Sequence, residues 1–452
     1  LNEQSYEKSP VDLADVLPVP ATGRIFGTYY SKDLEQGDDE AAKALTVNTL
    51  SVFGYANIGR AYVLNFHRLV SDIDGRPGPH VIALSGTSYL PDSSHLHLAV
   101  QPSGVLEPSE KSRDAIAQST FQFMPQYVET KKGEKKPVVV SGARSKLQPI
   151  KALARALTGD RQTPLSPFNR ELAWLSAPAQ QESPLWRDRS RLLVLVNSYD
   201  QSRWAATEIA ARYAASPDEI YALQRNASNE EMLVYGKALK RSDIEDFAAT
   251  NGKILVAPTQ SIGRGYNILN AEHIAAFGAI YFLTRPMPYP FDTQAVAREV
   301  NCLTLRWFDD PTEEVWQVET LLDKALALRR KANEVWARAE RRSFYKRLDE
   351  VERNDLAATT AGLIIQACGR LLRGGVPFHA YFVDAAWAPN NAAKKGEADA
   401  PSSSLLAAMI NVLRGYATTT VGAALYGPLV DALNRIENFR MDEGGTPRPS
   451  DL

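Results

Sequence analysis

Two arginines in the C-terminal half are the side chains best suited to chemistry. Arg370 and Arg373 lie three positions apart in the run Gln366-Ala367-Cys368-Gly369-Arg370-Leu371-Leu372-Arg373. On a helix, positions i and i+3 share one face, and arginine offers phosphate oxygens a charged, planar set of donors. Gly369 would permit close backbone approach. The run predicts a pair of arginines that bind a phosphate. The alternative is a surface helix end whose basic residues only favour the helix dipole.

A second run, Thr259-Gln260-Ser261-Ile262-Gly263-Arg264-Gly265-Tyr266-Asn267, ends 99 residues before Gln366. It follows a predicted buried strand at 253–257, as binding loops of α/β proteins often do. The alternative is a glycine-rich loop of the kind that follows strands in many α/β folds. Two shorter polar runs also follow predicted strands: Asn197-Ser198-Tyr199 after Leu192–Val196, and Ser85-Gly86-Thr87 after 80–84.

Alternating strands and helices must position these runs. From residue 191 onward, short apolar segments alternate with helical segments, and strands that are apolar throughout predict a parallel sheet covered on both faces. The predicted strands are 192–196, 220–223, 253–257, 279–283 and 379–383, and a helix is predicted over 363–373. Upstream, 121–127 and 138–140 are predicted to form a β-hairpin with a lysine-rich turn at 130–136, followed by a helix over 147–157.

A long, highly charged helical region interrupts this pattern at 312–355. Between 329 and 347, eight basic residues are opposed only by Glu334 and Glu340, with Trp336, Phe344 and Tyr345 interleaved. Such a stripe can hold phosphates and stack bases, which makes Arg338 and Arg342 candidate nucleic-acid contacts. A solvated helix face with its aromatic residues in a core explains the pattern equally well.

Composition sets broad limits on the class of protein. A net charge of -2 excludes a globally basic protein but leaves room for a local basic groove. Two cysteines, Cys302 and Cys368, cannot form a disulfide framework, which fits a reducing cytoplasm. No apolar run reaches the ~18 residues of a membrane span. The six histidines are scattered, and no metal site is predicted.

Taken in order, the four polar runs resemble motifs III to VI of superfamily 2 (DEAD/DEAH-like) helicases, which are nucleic-acid-dependent ATPases with two RecA-like domains. Ser85-Gly86-Thr87 is similar to motif III, 197–199 to motif IV, 259–267 to motif V and 366–373 to motif VI. The resemblance covers roughly 80–100 and 190–385. The wide separation of motifs V and VI is similar to that in DinG/XPD-like and phage-defence helicases of bacteria.

The resemblance implies a role for each of these residues. Arg370 and Arg373 would be arginine fingers that reach the γ-phosphate of ATP. Thr259, Ser198 and Arg264 would contact the nucleic-acid backbone. The remaining positions would lie on the nucleotide side of the site: Gln366, Gly369, Gly265, Asn267, Ser85 and Thr87.

Two parts of a helicase motor are missing from this sequence. It contains neither Gly-x-x-x-x-Gly-Lys-Ser/Thr nor an Asp-Glu pair at the end of an apolar strand. Because the chain starts at Leu1, we expect the phosphate loop and the acid pair to precede it in a longer protein. These two missing parts would hold most of the ATP and Mg²⁺. This stretch alone would then be inactive.

We therefore expect an α/β protein with a RecA-like (P-loop NTPase-type) doubly wound sheet. The expected parts are the end of a first RecA-like domain (1–104), a connecting segment (105–190), a second RecA-like domain (191–390) with a helical insertion (312–355), a linker (391–404) and a helical C-terminal region with a tail (405–452).

The expected function is that of the C-terminal part of an ATP-dependent DNA or RNA helicase or translocase in the cytoplasm, with protein partners from a defence or repair system. A non-catalytic RecA-like scaffold that binds nucleic acid or a protein partner is the alternative. An unrelated α/β nucleotide-binding enzyme is a third reading, but it would need its own phosphate loop.

Overall fold

The computed structural model describes residues 24–35, 45–56, 67, 75–76, 78–82, 84–98, 102–130, 133–159, 165–213, 216–225, 235–262, 265–286, 296–300, 302, 317–340, 345–393 and 397–442. Its contacts divide the chain into two compact units. The first comprises Leu1–Leu84, Leu98–Val100 and Pro288–Ser343, and the second, here called the sheet domain, comprises Ser85–His97, Gln101–Met287 and Phe344–Leu452.

The strands, in chain order, are β1 (Arg24–Glu35), β2 (Leu45–Ala56), β3 (Thr120–Phe123), β4 (Tyr127–Glu129), β5 (Lys135–Pro137), β6 (Leu192–Val196), β7 (Ile220–Gln224), β8 (Lys237–Lys240), β9 (Ile254–Pro258), β10 (Ala279–Phe282) and β11 (His379–Phe382). The helices are α1 (Glu110–Gln118), α2 (Leu147–Thr158), α3 (Pro167–Leu175), α4 (Pro178–Glu182), α5 (Tyr199–Arg212), α6 (Thr259–Ile262), α7 (Leu321–Glu340), α8 (Glu350–Leu371), α9 (Pro389–Ala392), α10 (Leu405–Ala417) and α11 (Thr420–Leu433). Short 3-10 helices span Pro217–Glu219, Arg241–Ala249, Tyr345–Arg347 and Ala385–Trp387.

The first unit contains β1 and β2, which form an antiparallel pair in register from Arg24↔Ala56 to Glu35↔Leu45. Its helix α7 contributes Ala332, Val335 and Trp336 to a small apolar core with Ala297 and Val300. The sequence alone could not place residues 1–60.

The sheet domain is built on a seven-stranded sheet in the order β3-β11-β10-β6-β9-β7-β8. Every neighbouring pair is parallel. The central strands β6, β9 and β10 are buried along their whole length, because apolar side chains on both faces of a parallel sheet must be covered by helices. The expected RecA-like doubly wound α/β fold is confirmed.

Two apolar cores cover the faces of this sheet. One joins Leu193, Leu195 and Phe282 to α8, α10 and α11. The other joins Val194 and Tyr281 to α2, α3 and α5. The two cores take alternate residues of the same strands, as the twofold repeat of a strand requires.

Helix α8 is longer than its sequence pattern predicts. It spans 22 residues and starts at a capping box, in which the Asp349 side chain accepts from the Glu352 N–H and the Glu352 side chain accepts from the Asp349 N–H. The predicted insertion at 312–355 therefore includes the first turns of α8, which belong to the sheet domain.

Three local predictions are wrong. Residues 80–82 and 84 are irregular and not part of a strand. Thr120–Phe123 joins the large sheet beside β11, and the hairpin is the shorter pair β4 and β5. In the predicted linker 391–404, the described residues 391–393 and 397–404 pack around the buried carboxylate of Asp399, which accepts hydrogen bonds from Asn391 and Ser403.

Candidate functional site

Arg370 lies in the last turn of α8, whereas Arg373 lies in the turn that follows the helix, two residues beyond Leu371. The prediction that both arginines share one face of a helix is therefore wrong. The buried face of α8, which includes Ala367, Cys368 and Leu371, packs on the core, so Arg370 is left half-buried, and Arg373 is exposed. A Cβ placed on Gly369 would meet no atom within 4 Å. Contacts within this chain therefore do not explain the glycine, and the space beside it is open.

Arg370 contacts the predicted motif V loop directly. Its Nη1 donates a hydrogen bond to the carbonyl oxygen of Tyr266, although the two residues are 104 positions apart. The preceding Gly265 is exposed and has φ +90°, a left-handed conformation that favours glycine. The structure thus brings together the predicted residues of two distant runs.

Glu245, in the 3-10 helix Arg241–Ala249, contacts the same loop. Its Oε1 accepts a hydrogen bond from the backbone N–H of Asn267. Burial, followed by repulsion from Arg373, lowers the pKa of Arg370, and the charge of Glu245 opposes that shift. Sequence reasoning missed Glu245, because no local pattern links it to the loop.

Gln366, one turn earlier on α8, contacts the predicted motif III run. Its Nε2 donates to Thr87 Oγ1 at 3.0 Å, and the Thr87 side chain is buried, whereas Ser85 is exposed. The hydrogen bond joins residues 279 positions apart. The polar run 85–87 therefore lies against the same helix as Arg370.

The whole segment Ser85–His97 is packed on α8 and on the C-terminal helices. Asp355 accepts hydrogen bonds from the Ser94 N–H and Oγ at 2.8 and 2.9 Å. Tyr426 donates from its hydroxyl to the carbonyl oxygen of Tyr89 at 2.7 Å. The contacts group this segment with the sheet domain. Its assignment to a first RecA-like domain stays a prediction.

Ser198 and Thr259 lie together at the carboxyl edge of the sheet, after the neighbouring strands β6 and β9. Ser198 caps α5, with its Oγ accepting from the Gln201 N–H, so it stands at a helix N-terminus that favours anions. Thr259 is 3% exposed, and its hydroxyl donates to the carbonyl oxygen of Val196 at 3.1 Å. Of the two side chains, Ser198 is the more accessible.

Three further nucleic-acid contacts were predicted: Arg338, Arg264 and Arg342. Arg338 is exposed on α7, in the first unit. Arg264 and Arg342 lie outside the described residues.

Arg189 is a buried residue that fixes the end of α8. It is 0% exposed, and burial lowers the pKa of its guanidinium to about 9. It makes five hydrogen bonds, all to backbone carbonyl oxygens. The acceptors belong to Leu185, Ala275, Phe277, Leu371 and Pro377. Arg189 therefore ties the last residue of α8 to the segments that lead into β10 and β11.

Asp384 organises the carboxyl edge after β11. Its buried carboxylate accepts from the backbone N–H groups of Val140, Ser141 and Ala386 at 3.0 to 3.1 Å. The Ser141 hydroxyl donates to it as well, at 3.0 Å. Because these donors come from two separate segments, Asp384 holds the loop at 140–146 against the end of the sheet.

Comparison with known proteins gives no relative for this chain: no model of a known protein family matches it, and no curated protein matches it. Among the described residues, no group of three or more His, Cys, Asp or Glu side chains could hold a metal ion. None of the helices in the described part of the chain combines the length and the apolar character needed to cross a bilayer.

Proposed function

We propose that this chain is the C-terminal part of an ATP-dependent nucleic-acid helicase or translocase of superfamily 2. One observation carries the proposal. Three runs that are far apart in the sequence, 85–87, 259–267 and 366–373, meet at α8. Arg370 donates to Tyr266, and Gln366 donates to Thr87. The resemblance rests on short motifs, and their convergence across 104 and 279 positions is independent support.

The end of α8 suits a polyphosphate. Arg370 and Arg373 place two cations beside open space at Gly369, and the pKa of Arg370 is lowered by burial and by Arg373. A γ-phosphate would balance that charge and accept donors from both guanidinium groups. ATP would supply the phosphoryl group, while a phosphate loop and an acid pair outside this sequence would hold most of it with Mg²⁺.

The chain's own residues would couple this site to nucleic acid. Arg370 would exchange its hydrogen bond to Tyr266 for one to the phosphate, and this exchange would release the motif V loop. The same loop continues back to Thr259, which is hydrogen-bonded to the end of β6 beside Ser198. Closure of the two RecA-like domains would thereby shift the backbone contacts at Ser198 and Thr259.

Mutation of the arginines in a protein that joins this chain to a phosphate loop and acid pair tests the proposal. We expect Arg370→Ala and Arg373→Ala each to reduce nucleic-acid-stimulated ATP hydrolysis by about 10³-fold or more, because arginine fingers stabilise transition-state charge. Binding of nucleic acid should be unchanged. Arg170→Ala is the matched control, since Arg170 is exposed on α3.

Full ATP turnover by either variant would refute the finger assignment. If no assembly of this chain hydrolyses ATP while the chain still binds nucleic acid, the scaffold function replaces the motor. We further propose a cytoplasmic location, because the thiols of Cys302 and Cys368 are both free.

A further inference from the structure

The segment 127–151 concentrates positive charge in a chain that is acidic overall. It contains seven basic residues and two acidic ones, Glu129 and Glu134, for a net charge of +5 (7 − 2). Since the chain carries -2 in total, the remaining residues carry -7. This segment lies outside the resemblance to helicase motifs, so the function proposed above does not account for it.

Four of these basic residues, which lie in β5 and in the loop that leads to α2, are here called the basic platform: Lys135, Lys136, Arg144 and Lys146. Three are exposed and Lys146 is half-buried. None of them forms an ion pair with any described residue. Arg155, further along α2, differs because it pairs with Glu208 at 2.7 Å. Lys135, Lys136 and Arg144 thus have no ion-pair partner among the described residues, while Lys146 is acted on by the nearby charge of Asp384.

Hydrogen bonds fix the platform at the carboxyl edge of the sheet. Asp384 holds the N–H groups of Val140 and Ser141, between the hairpin and Lys146. Lys146 Nζ donates to the carbonyl oxygen of Val140 at 2.9 Å. An ammonium group has three donors, so Lys146 keeps two beyond this recorded bond.

The platform lies next to the predicted backbone contact Ser198. The Arg285 carbonyl oxygen accepts from Asn197 Nδ2 at 2.9 Å and lies 3.4 Å from Ser141 Oγ, which is closer to the Asp384 carboxylate. Asn197 directly precedes Ser198, so one carbonyl links the loop of the platform to the end of β6. A strand of nucleic acid bound at Ser198 could continue over the platform.

We propose that the basic platform binds the sugar–phosphate backbone of nucleic acid and extends the contact made at Ser198. This inference rests on the proposed function. The binding would be electrostatic and independent of sequence, because cations that neutralise phosphates release counterions whatever the bases are.

Salt-dependent binding tests the platform. The full chain is titrated against fluorescently labelled single-stranded DNA and RNA at several salt concentrations, as wild type and as Lys135→Gln/Lys136→Gln/Arg144→Gln. The matched control is Lys111→Gln/Arg170→Gln/Arg435→Gln, which removes the same charge from exposed positions elsewhere on the sheet domain. Circular dichroism confirms that all three proteins are folded.

We expect the platform variant to lower the slope of log Kobs against log[salt] by roughly two to three, about one for each lost phosphate contact. The control should keep the wild-type slope, and the DNA and RNA arms identify the preferred strand. Equal weakening in both variants, or no weakening in either, would overturn the platform but leave nucleic-acid binding intact. If wild type binds neither oligonucleotide, both the platform proposal and the proposed function fail.

Discussion

Two arginines of the sheet domain, Arg189 and Arg370, occupy opposite kinds of environment. Arg189 is fully buried, and all its recorded hydrogen bonds go to backbone carbonyl oxygens that are fixed by the fold. Arg370 is half-buried, donates from Nη1 to the Tyr266 carbonyl, and feels the charges of both Arg373 and Glu245. A guanidinium group whose five donors all bind fixed backbone carbonyls stabilises the fold. A guanidinium group near another cation is stabilised when an anion binds beside it.

Both arginines act on the same helix, which makes the contrast useful. Arg189 donates to Leu371, the last residue of α8, and Arg370 is the residue just before it. The buried arginine sets where the helix ends, and that end sets where the half-buried arginine points. Loss of Arg189 should therefore unfold or displace the site, while loss of Arg370 should leave the fold unchanged.

The largest expected effect is that of Arg189→Met. It removes five hydrogen bonds and leaves buried carbonyl groups without donors, so we expect the free energy of unfolding to fall by about 3 to 5 kcal/mol. Urea denaturation measures the change. Arg370→Met is the control, with an expected change within about 1 kcal/mol.

Arg189→Lys keeps the experiment informative if Arg189→Met does not fold. A lysine ammonium has three donors and no planar fork, so its stability should lie between those of wild type and the methionine variant. If Arg189→Met proves as stable as Arg370→Met, the structural role given to Arg189 is wrong.

Two glycines of α8 offer a second comparison between a tightly packed position and an open one. A Cβ on Gly362 would lie 2.2 Å from Leu96 Cδ1, whereas a Cβ on Gly369 would meet nothing within 4 Å. Gly362→Ala should therefore cost about 1 to 3 kcal/mol and loosen the segment Ser85–His97. Gly369→Ala should be neutral or stabilise the protein by up to about 1 kcal/mol, since alanine favours a helix.

Hydrogen exchange of the backbone amides at 93–97 reports on the segment itself. We expect faster exchange in Gly362→Ala and wild-type exchange in Gly369→Ala. Equal exchange in both variants would mean that the packing of Leu96 on α8 does not hold the segment.

The sequence predicted the centre of this fold better than its margins. Strands β6, β9 and β10 are runs of apolar residues, and such runs have few alternatives in an α/β protein. Strand β3 was misassigned because its alternating burial also fits a hairpin strand. The sequence also missed the buried carboxylate of Asp399. Asp399 and its donors Asn391 and Ser403 are all polar, and a polar run resembles an exposed linker until its hydrogen bonds are seen.

The candidate site divides in the same way. Gln366, Arg370 and Gly265 lie in short runs whose spacing can be recognised, so the sequence predicted them. The structure joins two of these runs through Tyr266, which the sequence did not single out. Glu245, Arg189 and Tyr426 act through contacts between distant segments. No periodicity marks such residues, and a single sequence cannot show which segments will meet.

The smallest expected effect concerns Tyr345, whose hydroxyl donates to the carbonyl oxygen of Pro401 at 2.7 Å, with that of Ser404 at 3.1 Å as a second acceptor for the same proton. Tyr345→Phe should lower the free energy of unfolding by about 1 kcal/mol at neutral pH. The ring would keep its place under the guanidinium of Arg285, 5.5 Å from the ring centroid.

The pH dependence of that difference distinguishes the hydroxyl from the ring. Burial raises the pKa of Tyr345 to about 12, from about 10 in the unfolded chain. A raised folded pKa gives stability that is fully present below pH ~10 and is lost as the pH rises towards 12. Two pKa units correspond to about 2.7 kcal/mol, which exceeds the ~1 kcal/mol advantage of the hydroxyl. Because phenylalanine does not titrate, wild type and Tyr345→Phe should become equally stable in urea denaturation between pH ~10 and ~12, and wild type should be the less stable protein at higher pH. A constant difference across that window would contradict the prediction, because it would show that burial does not raise the pKa of the Tyr345 hydroxyl.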